Sequence, residues 1–496
     1  MKNETVILWF RRDFRLEDNV ALEAALEAGR VVIPVFIWCP DEESPWQPIG
    51  AARVWMHHSL DALDAALRKK GNRLLVLKAK NYFDALVKLA AEHKVGQVFA
   101  NSIYEPIWLD KDKKLSQKLS KEGIELKLST GALLYDPFGI KTAQGNPFQV
   151  FTPYWRACLQ RDSAPGSPIF EPEKIPALSQ HPAGVDLNDL NLLPKVKWDT
   201  GIVETWTPGL DGAKTTLDAF IDKALRNYAE TRNLPCEVGT SRLSPYLHFG
   251  EISPRRVWHE VSEHLHSTHA LRQDSSKVHG MKATNSGEVY LRELGWREFA
   301  HQVLCNFPNT PTKPLREDFA HFPFRKDAEA LKAWHKGQTG YPIVDAGMRE
   351  LWHTGWMHNR VRMVVASFLV KHLLLPWQDG ARWFWDTLVD ADLANNTMGW
   401  QWSAGCGADA APYFRIFNPI LQGEKFDPQG TYVRKWVPEL AKLPDEFIHQ
   451  PWEAPSLILH ASKITLDVNY PAPIIEHAKA RQRALAALSK VRGKEP

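Results

Sequence analysis

A change of period partway along the chain narrows the fold more than any other feature. Residues 1–130 alternate short β-branched runs with amphipathic stretches, whereas from about Trp206 onward helical spacing alone persists. Val6–Phe10, Val31–Trp38, Leu74–Leu77, Gln97–Ala100 and Glu125–Leu128 read as strands, with helices such as Asp18–Ala28 and Val54–Lys69 between them. Strands joined by helical crossovers run parallel, so this part predicts an α/β domain on a doubly wound parallel sheet. No GxGxxG follows the first strand, which removes the dinucleotide fingerprint. Ala213–Tyr228, Ser253–Leu265, Glu288–Leu304, Asp327–Lys336, Val344–His353, Asn359–Leu374 and Ala381–Leu388 read as helices of a larger all-helical domain. Between the two, prolines and glycines from Pro137 to Pro176 interrupt every period, leaving a connector with one short helix, Phe151–Leu159. The expected divisions are 1–130, 131–205, 206–480 and a short tail, 481–496.

A chain of 496 residues that is 44% hydrophobic can bury two or three cores. Its 61 basic residues barely exceed its 58 acidic ones, so any polyanion-binding face must be a local patch. Five scattered cysteines form no CxxC pair, which argues against a disulfide framework or zinc site and for a reducing compartment. The start shows no signal peptide, and no uncharged run reaches the ~18 residues of a membrane helix. A soluble cytoplasmic protein, with no membrane partner, is expected. Twenty tryptophans are the compositional anomaly, a density that suits stacking on planar ligands or passing electrons.

Chemistry concentrates in Asp390–Trp402, which holds two carboxylates, two adjacent amides and two tryptophans. These are too many costly groups for an ordinary surface loop. Gly405, Gly407, Ala408, Ala410 and Ala411 follow and allow backbone to pack closely around a ligand. Asp390 and Asp392 have no third carboxylate or histidine nearby, so no metal site is expected. Thr240-Ser241-Arg242-Leu243-Ser244 places hydroxyls and a guanidinium at an expected helix start, which suits either an anion such as a diphosphate or a plain N-cap. Glu293, Trp296 and Arg297 share one helical face, as a cavity wall with both apolar and polar functions would. Asn359, Arg360, Arg362 and Met363 open an apolar helix whose first turn is built to meet an anion. Their neighbour His358 reads as structural, and Arg11-Arg12 is open between a solvated turn and a functional pair.

These stretches, with Trp9–Asn19 and the connector run Leu134–Arg156, resemble the photolyase/cryptochrome family over nearly the whole chain. The resemblance implies an α/β domain, a helical FAD-binding domain and light-dependent repair of pyrimidine dimers in UV-damaged DNA by a monomer in the bacterial cytoplasm. Tyr228, Thr240, Ser241, Arg242, Leu243, Ser244, Tyr290, Glu293, Arg297, Trp356, Asn359, Arg362, Asp390, Asp392 and Asn396 match positions that contact FAD. Glu293, Trp296, Asn359, Met363 and Trp402 match the lesion pocket. Arg232, Trp296, Arg360, Arg415 and Lys425 match DNA contacts, Arg297 being a further candidate. Trp296, Met363 and Asn396 favour a cyclobutane-dimer photolyase of the class I or class III type over a cryptochrome photoreceptor or a (6-4) photolyase. Tyr104-Glu105 resembles a pair that holds a 5,10-methenyltetrahydrofolate antenna. Trp400 and Trp377 match the inner members of an electron-transfer chain, but Phe324 stands at its third position. The route to the surface is therefore open among Trp334, Trp352, Trp383 and Trp385.

Overall fold

The computed structural model describes residues 3–161, 165–273, 286–409 and 414–491. Five parallel strands form one sheet: β1 (Asn3–Phe10), β2 (Gly29–Trp38), β3 (Leu75–Lys78), β4 (Gln97–Asn101) and β5 (Glu125–Ser129). Their order is β3-β2-β1-β4-β5, with Trp9 beside Val35 and Leu8 beside Phe99. Helices α1 (Val20–Ala28), α2 (Gly50–Lys69), α3 (Tyr82–His93) and α4 (Pro106–Lys121) supply the crossovers. This is the expected doubly wound arrangement. Strands covered on both faces need no polar alternation, hence the continuous apolar runs of β1 and β2. Ile7, Trp9, Ile33, Val35 and Val98 pack against Leu86, Leu89, Leu115 and Leu119 from the helices. Each such side chain contributes about 1.5–3 kcal/mol when fully buried. Asn19 starts α1 by accepting the Leu22 amide over 3.1 Å.

The chain packs as two compact units. Unit 1 comprises Met1–Asp199, Val203–Arg226 and Ser241–Pro308, and unit 2 comprises Thr200–Ile202, Asn227–Thr240 and Asn309–Pro496. Unit 1 thus takes in the sheet, most of the connector and also the helices Leu210–Lys223, Pro254–Gln273 and Ser286–Asn306. Glu298 shows why the connector joins them. Its buried carboxylate accepts the Leu134 and Tyr135 amides over 2.9 and 3.1 Å, tying the connector to the Ser286–Asn306 helix.

Unit 2 is helical. The stretch expected as one helix, Asn359–Leu374, runs as Asn359–Ser367 and then widens into a π-helical turn, Phe368–His372. The polar Asp390–Trp402 stretch becomes the Leu393–Ala404 helix, with Asp392 as its N-cap. No described helix is long and apolar enough to cross a membrane.

Candidate functional site

In unit 2 the first turn of the Asn359–Ser367 helix positions most of the expected side chains. Arg362 donates from Nε to the Met357 carbonyl over 2.7 Å and from Nη2 to Asp390 Oδ2 over 2.8 Å. Its guanidinium lies 5.8 Å from the Trp356 ring. The second Asp390 oxygen, Oδ1, is buried with no hydrogen bond among the described residues. A buried carboxylate oxygen left unsatisfied costs about 1–3 kcal/mol, so a ligand donor is the natural partner here. Asp392 spends one oxygen on the Asn395 amide, and Asn396 directs Nδ2 to the Ala381 carbonyl over 3.0 Å. Asn359 is exposed, while Met363 and Trp402 are half-buried.

Beside that turn, positive charge accumulates. Arg360 donates to Asn233 Oδ1 over 2.7 Å and lies 4.4 Å above the Phe426 ring. Burial, then the charges of Arg232 and Arg415, push its pKa down, so the three cations are close enough to repel. Arg232 itself lies 5.2 Å from the Tyr228 ring. Arg360 has no ion pair among the described residues. Cations held together against repulsion mark a place for an anion. Lys425 is exposed, with its ammonium 5.3 Å from the Phe426 ring. Arg415 is exposed, and its carbonyl accepts from buried Lys371, whose pKa burial pushes down to about 7.

A run of rings leads outward from Trp400. Trp400 meets Phe384 at 5.0 Å and Trp334 at 6.1 Å, both edge to face. A Cβ on Gly380 would come 2.0 Å from the Trp400 ring, so only glycine allows this packing. Trp334 adjoins His335 at 5.5 Å, and His335 stacks on Trp383 at 3.8 Å. Trp383 faces Trp352 at 6.1 Å, and Trp352 is 55% exposed. Trp377 is buried and makes no ring contact among the described residues, while Phe324 packs on Phe322 at 4.7 Å. The resemblance places Trp377 next to Trp400 in the electron-transfer chain, and Trp334 is the tryptophan whose ring meets Trp400 here. Residues far apart in sequence make this run, and nothing in their local patterns signals it.

The Thr240–Ser244 run spans the division, with Thr240 in unit 2 and Ser241–Ser244 in unit 1. The helix that follows, Ser244–His248, is only five residues long and has no side-chain cap, so it supplies no substantial dipole for an anion. Arg242 adopts a left-handed φ of 53° and stacks 4.2 Å over Trp206. Leu243 is buried, its amide reaching Ser241 Oγ over 3.4 Å. Burial pushes the Tyr290 phenol up, a Ser241 hydrogen bond opposing the shift and the Glu293 charge adding to it.

Trp296 stacks on Phe151 at 3.7 Å, so one face of its ring is already covered. Glu293, Trp296 and Arg297 share one face of the Ser286–Asn306 helix, and Arg297 spends its guanidinium locally. Its guanidinium donates to the Ala132 carbonyl over 2.9 Å and toward the Leu247 carbonyl at 3.5 Å, holding the connector rather than pointing to solvent. Arg11 and Arg12 form no solvated turn. Arg11 is buried, pairs with Asp112 at 2.7 Å and lies 5.0 Å from both the Trp9 and Trp108 rings. Arg12 pairs with both oxygens of Glu105, one at 2.8 Å, so the expected antenna carboxylate is already engaged and buried. Ala410 and Ala411 lie outside the described residues.

Residues 6–177 match the DNA photolyase family, and residues 290–490 match the FAD binding domain of DNA photolyase. A deoxyribodipyrimidine photo-lyase of Agrobacterium fabrum is 47% identical over 99% of both chains. Cryptochrome-2 of Arabidopsis thaliana is 41% identical over 99% of this chain and 79% of its own length. Among solved structures, a bacterial class III photolyase from Agrobacterium tumefaciens superposes with a TM-score of 0.93 at 46% identity, covering 100% of this chain and 99% of its own.

Proposed function

The chain belongs to the DNA photolyase family, and we propose that it splits cyclobutane pyrimidine dimers in UV-damaged DNA using light and reduced FAD. It is a light-dependent DNA-repair enzyme with the activity of a deoxyribodipyrimidine photo-lyase. The observation that carries this reading at the level of residues is the Asn359–Ser367 helix. One turn of it aims Arg362 at Asp390 and sets Arg360 among Arg232 and Arg415.

In unit 2, Asp390 fits the cofactor because its buried Oδ1 lacks a donor. Asp390, Asp392, Asn396, Arg362, Trp356, Tyr228 and Thr240 would bind FAD there, with Arg362 offsetting the Asp390 charge. The unit 1 residues assigned to FAD are Ser241, Arg242, Leu243, Ser244, Tyr290, Glu293 and Arg297. FAD, when bound and reduced, supplies the electron that opens the dimer under light. The protein's part is to position the lesion and stabilise charge that develops on it. Asn359 would donate a hydrogen bond to the dimer, Glu293 would lie within hydrogen-bond reach of it, Met363 and Trp402 would contact it, and Trp296 would stack through the face that Phe151 leaves open. Arg232, Arg360, Arg415 and Lys425 would contact phosphates, which position the duplex without reading sequence. A damaged pair, poorly stacked, leaves the helix at lower cost than an intact one.

Electrons would reach Trp400 from exposed Trp352 through Trp383 and Trp334, with His335 as the bridging ring. Burial pushes His335 down to about 4, so it is neutral at physiological pH. The antenna would be 5,10-methenyltetrahydrofolate, on the strength of Tyr104-Glu105. Glu105 would have to release an Arg12 contact to bind it.

The test is repair of a dimer-containing oligonucleotide by chemically reduced, FAD-loaded protein under near-UV light, with a dark control. Light-dependent loss of dimers, abolished in Asn359→Ala, is expected. No repair by protein that retains reduced FAD would overturn the reading.

A further inference from the structure

His358 is the N-cap of the Asn359–Ser367 helix, and its Nδ1 accepts the Arg360 amide over 3.2 Å. A ring nitrogen that accepts carries no proton, so the neutral imidazole bears its hydrogen on Nε2. The backbone holds the ring in place. The His358 amide donates to Glu350 Oε2 over 3.3 Å, and the Tyr432 hydroxyl donates to the same oxygen over 2.6 Å. His358 is 3% exposed, yet among the described residues nothing accepts from its Nε2. Two residues on, Arg360 Nε is likewise buried with no acceptor.

Two buried donors in one helical turn, both without acceptors, are costly unless a ligand supplies oxygens. Arg362, Arg360 and Arg232 bear on the ring as positive charges, that of Arg362 being offset by its pair with Asp390. Burial, with these three charges, pushes the imidazole down to about 4, so at physiological pH it is a neutral donor rather than a fourth cation. A neutral acceptor could satisfy one donor, but the Arg360 guanidinium, which has no ion pair among the described residues, favours a negatively charged oxygen.

We propose that His358 is a phosphate-binding residue, donating Nε2–H to an oxygen of an anionic phosphate that Arg360 also contacts. The inference rests on the photolyase reading, which brings two phosphates of this chemistry to the protein, the diphosphate of FAD and the backbone of DNA. It changes the standing of His358, which then does more than start a helix.

The experiment compares His358→Asn with His358→Gln in the full chain. Asparagine keeps a side-chain oxygen for the helix cap but has no donor at the Nε2 place. Glutamine carries an amide nitrogen to about that place. Four quantities are read: melting temperature, FAD retained through gel filtration, affinity for a dimer-containing oligonucleotide, and the salt dependence of that affinity. Loss of one hydrogen bond to a charged group predicts about a tenfold or greater loss of one ligand in His358→Asn, with His358→Gln recovering most of it.

If DNA affinity falls and FAD is retained, the phosphate is DNA's, and the salt slope stays at the wild-type value because a neutral donor displaces no counterion. If FAD is lost instead, the phosphate is the cofactor's. His358→Asn protein that retains FAD and binds DNA as tightly as wild type overturns the proposal. So does His358→Gln protein that is no better than His358→Asn at equal melting temperature. Failure of the wild-type protein to repair would overturn the photolyase reading instead, a distinct outcome.

Discussion

Trp352 and Trp383 lie face to face, with ring centroids 6.1 Å apart and planes 11° from parallel. One of the two is 55% exposed, so the pair opens the buried ring run of Trp400 and Trp334 to solvent. Trp383→Phe and Trp352→Phe should each slow photoreduction of oxidised FAD several-fold while leaving repair by chemically reduced enzyme unchanged. Trp377→Phe should have the smaller effect. The order of these effects, read from flavin absorbance under blue light with an external reductant, decides the route. A block by Trp377→Phe alone would remove Trp352 from it.

Asp390 makes a second prediction, about the cofactor. One carboxylate oxygen is paired with Arg362 at 2.8 Å and the other is buried without a donor. Asp390→Asn removes the charge that offsets Arg362 and keeps only one acceptor oxygen, so either Arg362 or the ligand donor meets an amide NH2 instead. We expect a loss of about 1–3 kcal/mol in stability of the FAD-loaded protein. FAD should also wash out on gel filtration. Melting with and without added FAD checks both, and an unchanged FAD content would exclude Asp390 from the binding set.

The legible parts of this chain were those where local pattern and tertiary role agree. β1 and β2 could be read because strands buried on both faces carry uninterrupted apolar runs. Asp390–Trp402 stood out because its polar groups are costly wherever they lack partners. The unread parts depend on which residues meet across the fold. Arg11 and Arg12 are open between a solvated turn and a functional pair until Asp112 and Glu105 arrive from α4 and its leading edge. Arg297 looks like a cavity residue until the Ala132 carbonyl takes it. No spacing rule brings Trp352 to Trp383, or shows which nitrogen of His358 is engaged. The divisions at 130 and 205 followed composition, whereas packing carries unit 1 through Pro308.

The arginine cluster predicts how DNA binding responds to salt. Each phosphate neutralised releases counterions and contributes about −0.9 to the slope of log K against log salt. Arg232→Ala, Arg360→Ala and Arg415→Ala should each weaken binding to damaged and undamaged DNA alike and reduce that slope by about one. Anisotropy titrations across a salt series check this. Arg297→Ala should leave the slope unchanged, since its guanidinium holds connector carbonyls. A full unit lost from the slope in Arg297→Ala would restore it to the DNA face.

Glu251 in unit 1 makes a prediction about pH. Its carboxylate accepts from Ser59 Oγ at 2.5 Å, the Gly209 amide at 2.6 Å and Trp55 Nε1 at 3.1 Å, joining α2 to the start of the Leu210–Lys223 helix. Burial outweighs these three donors and pushes the group up to about 8. A folded-state pKa above the unfolded value, about 4.3, means that the folded protein binds this proton more tightly. The stabilisation is therefore complete below about 4.3 and is lost as pH rises through about 8. Its steepest contribution to the decline is about 1.4 kcal/mol per pH unit. Glu251→Gln removes the titration, so its unfolding free energy should vary less across this window than that of wild type. Urea unfolding at several pH values makes the comparison, and parallel pH profiles for the two proteins would show that Glu251 stays ionised when folded.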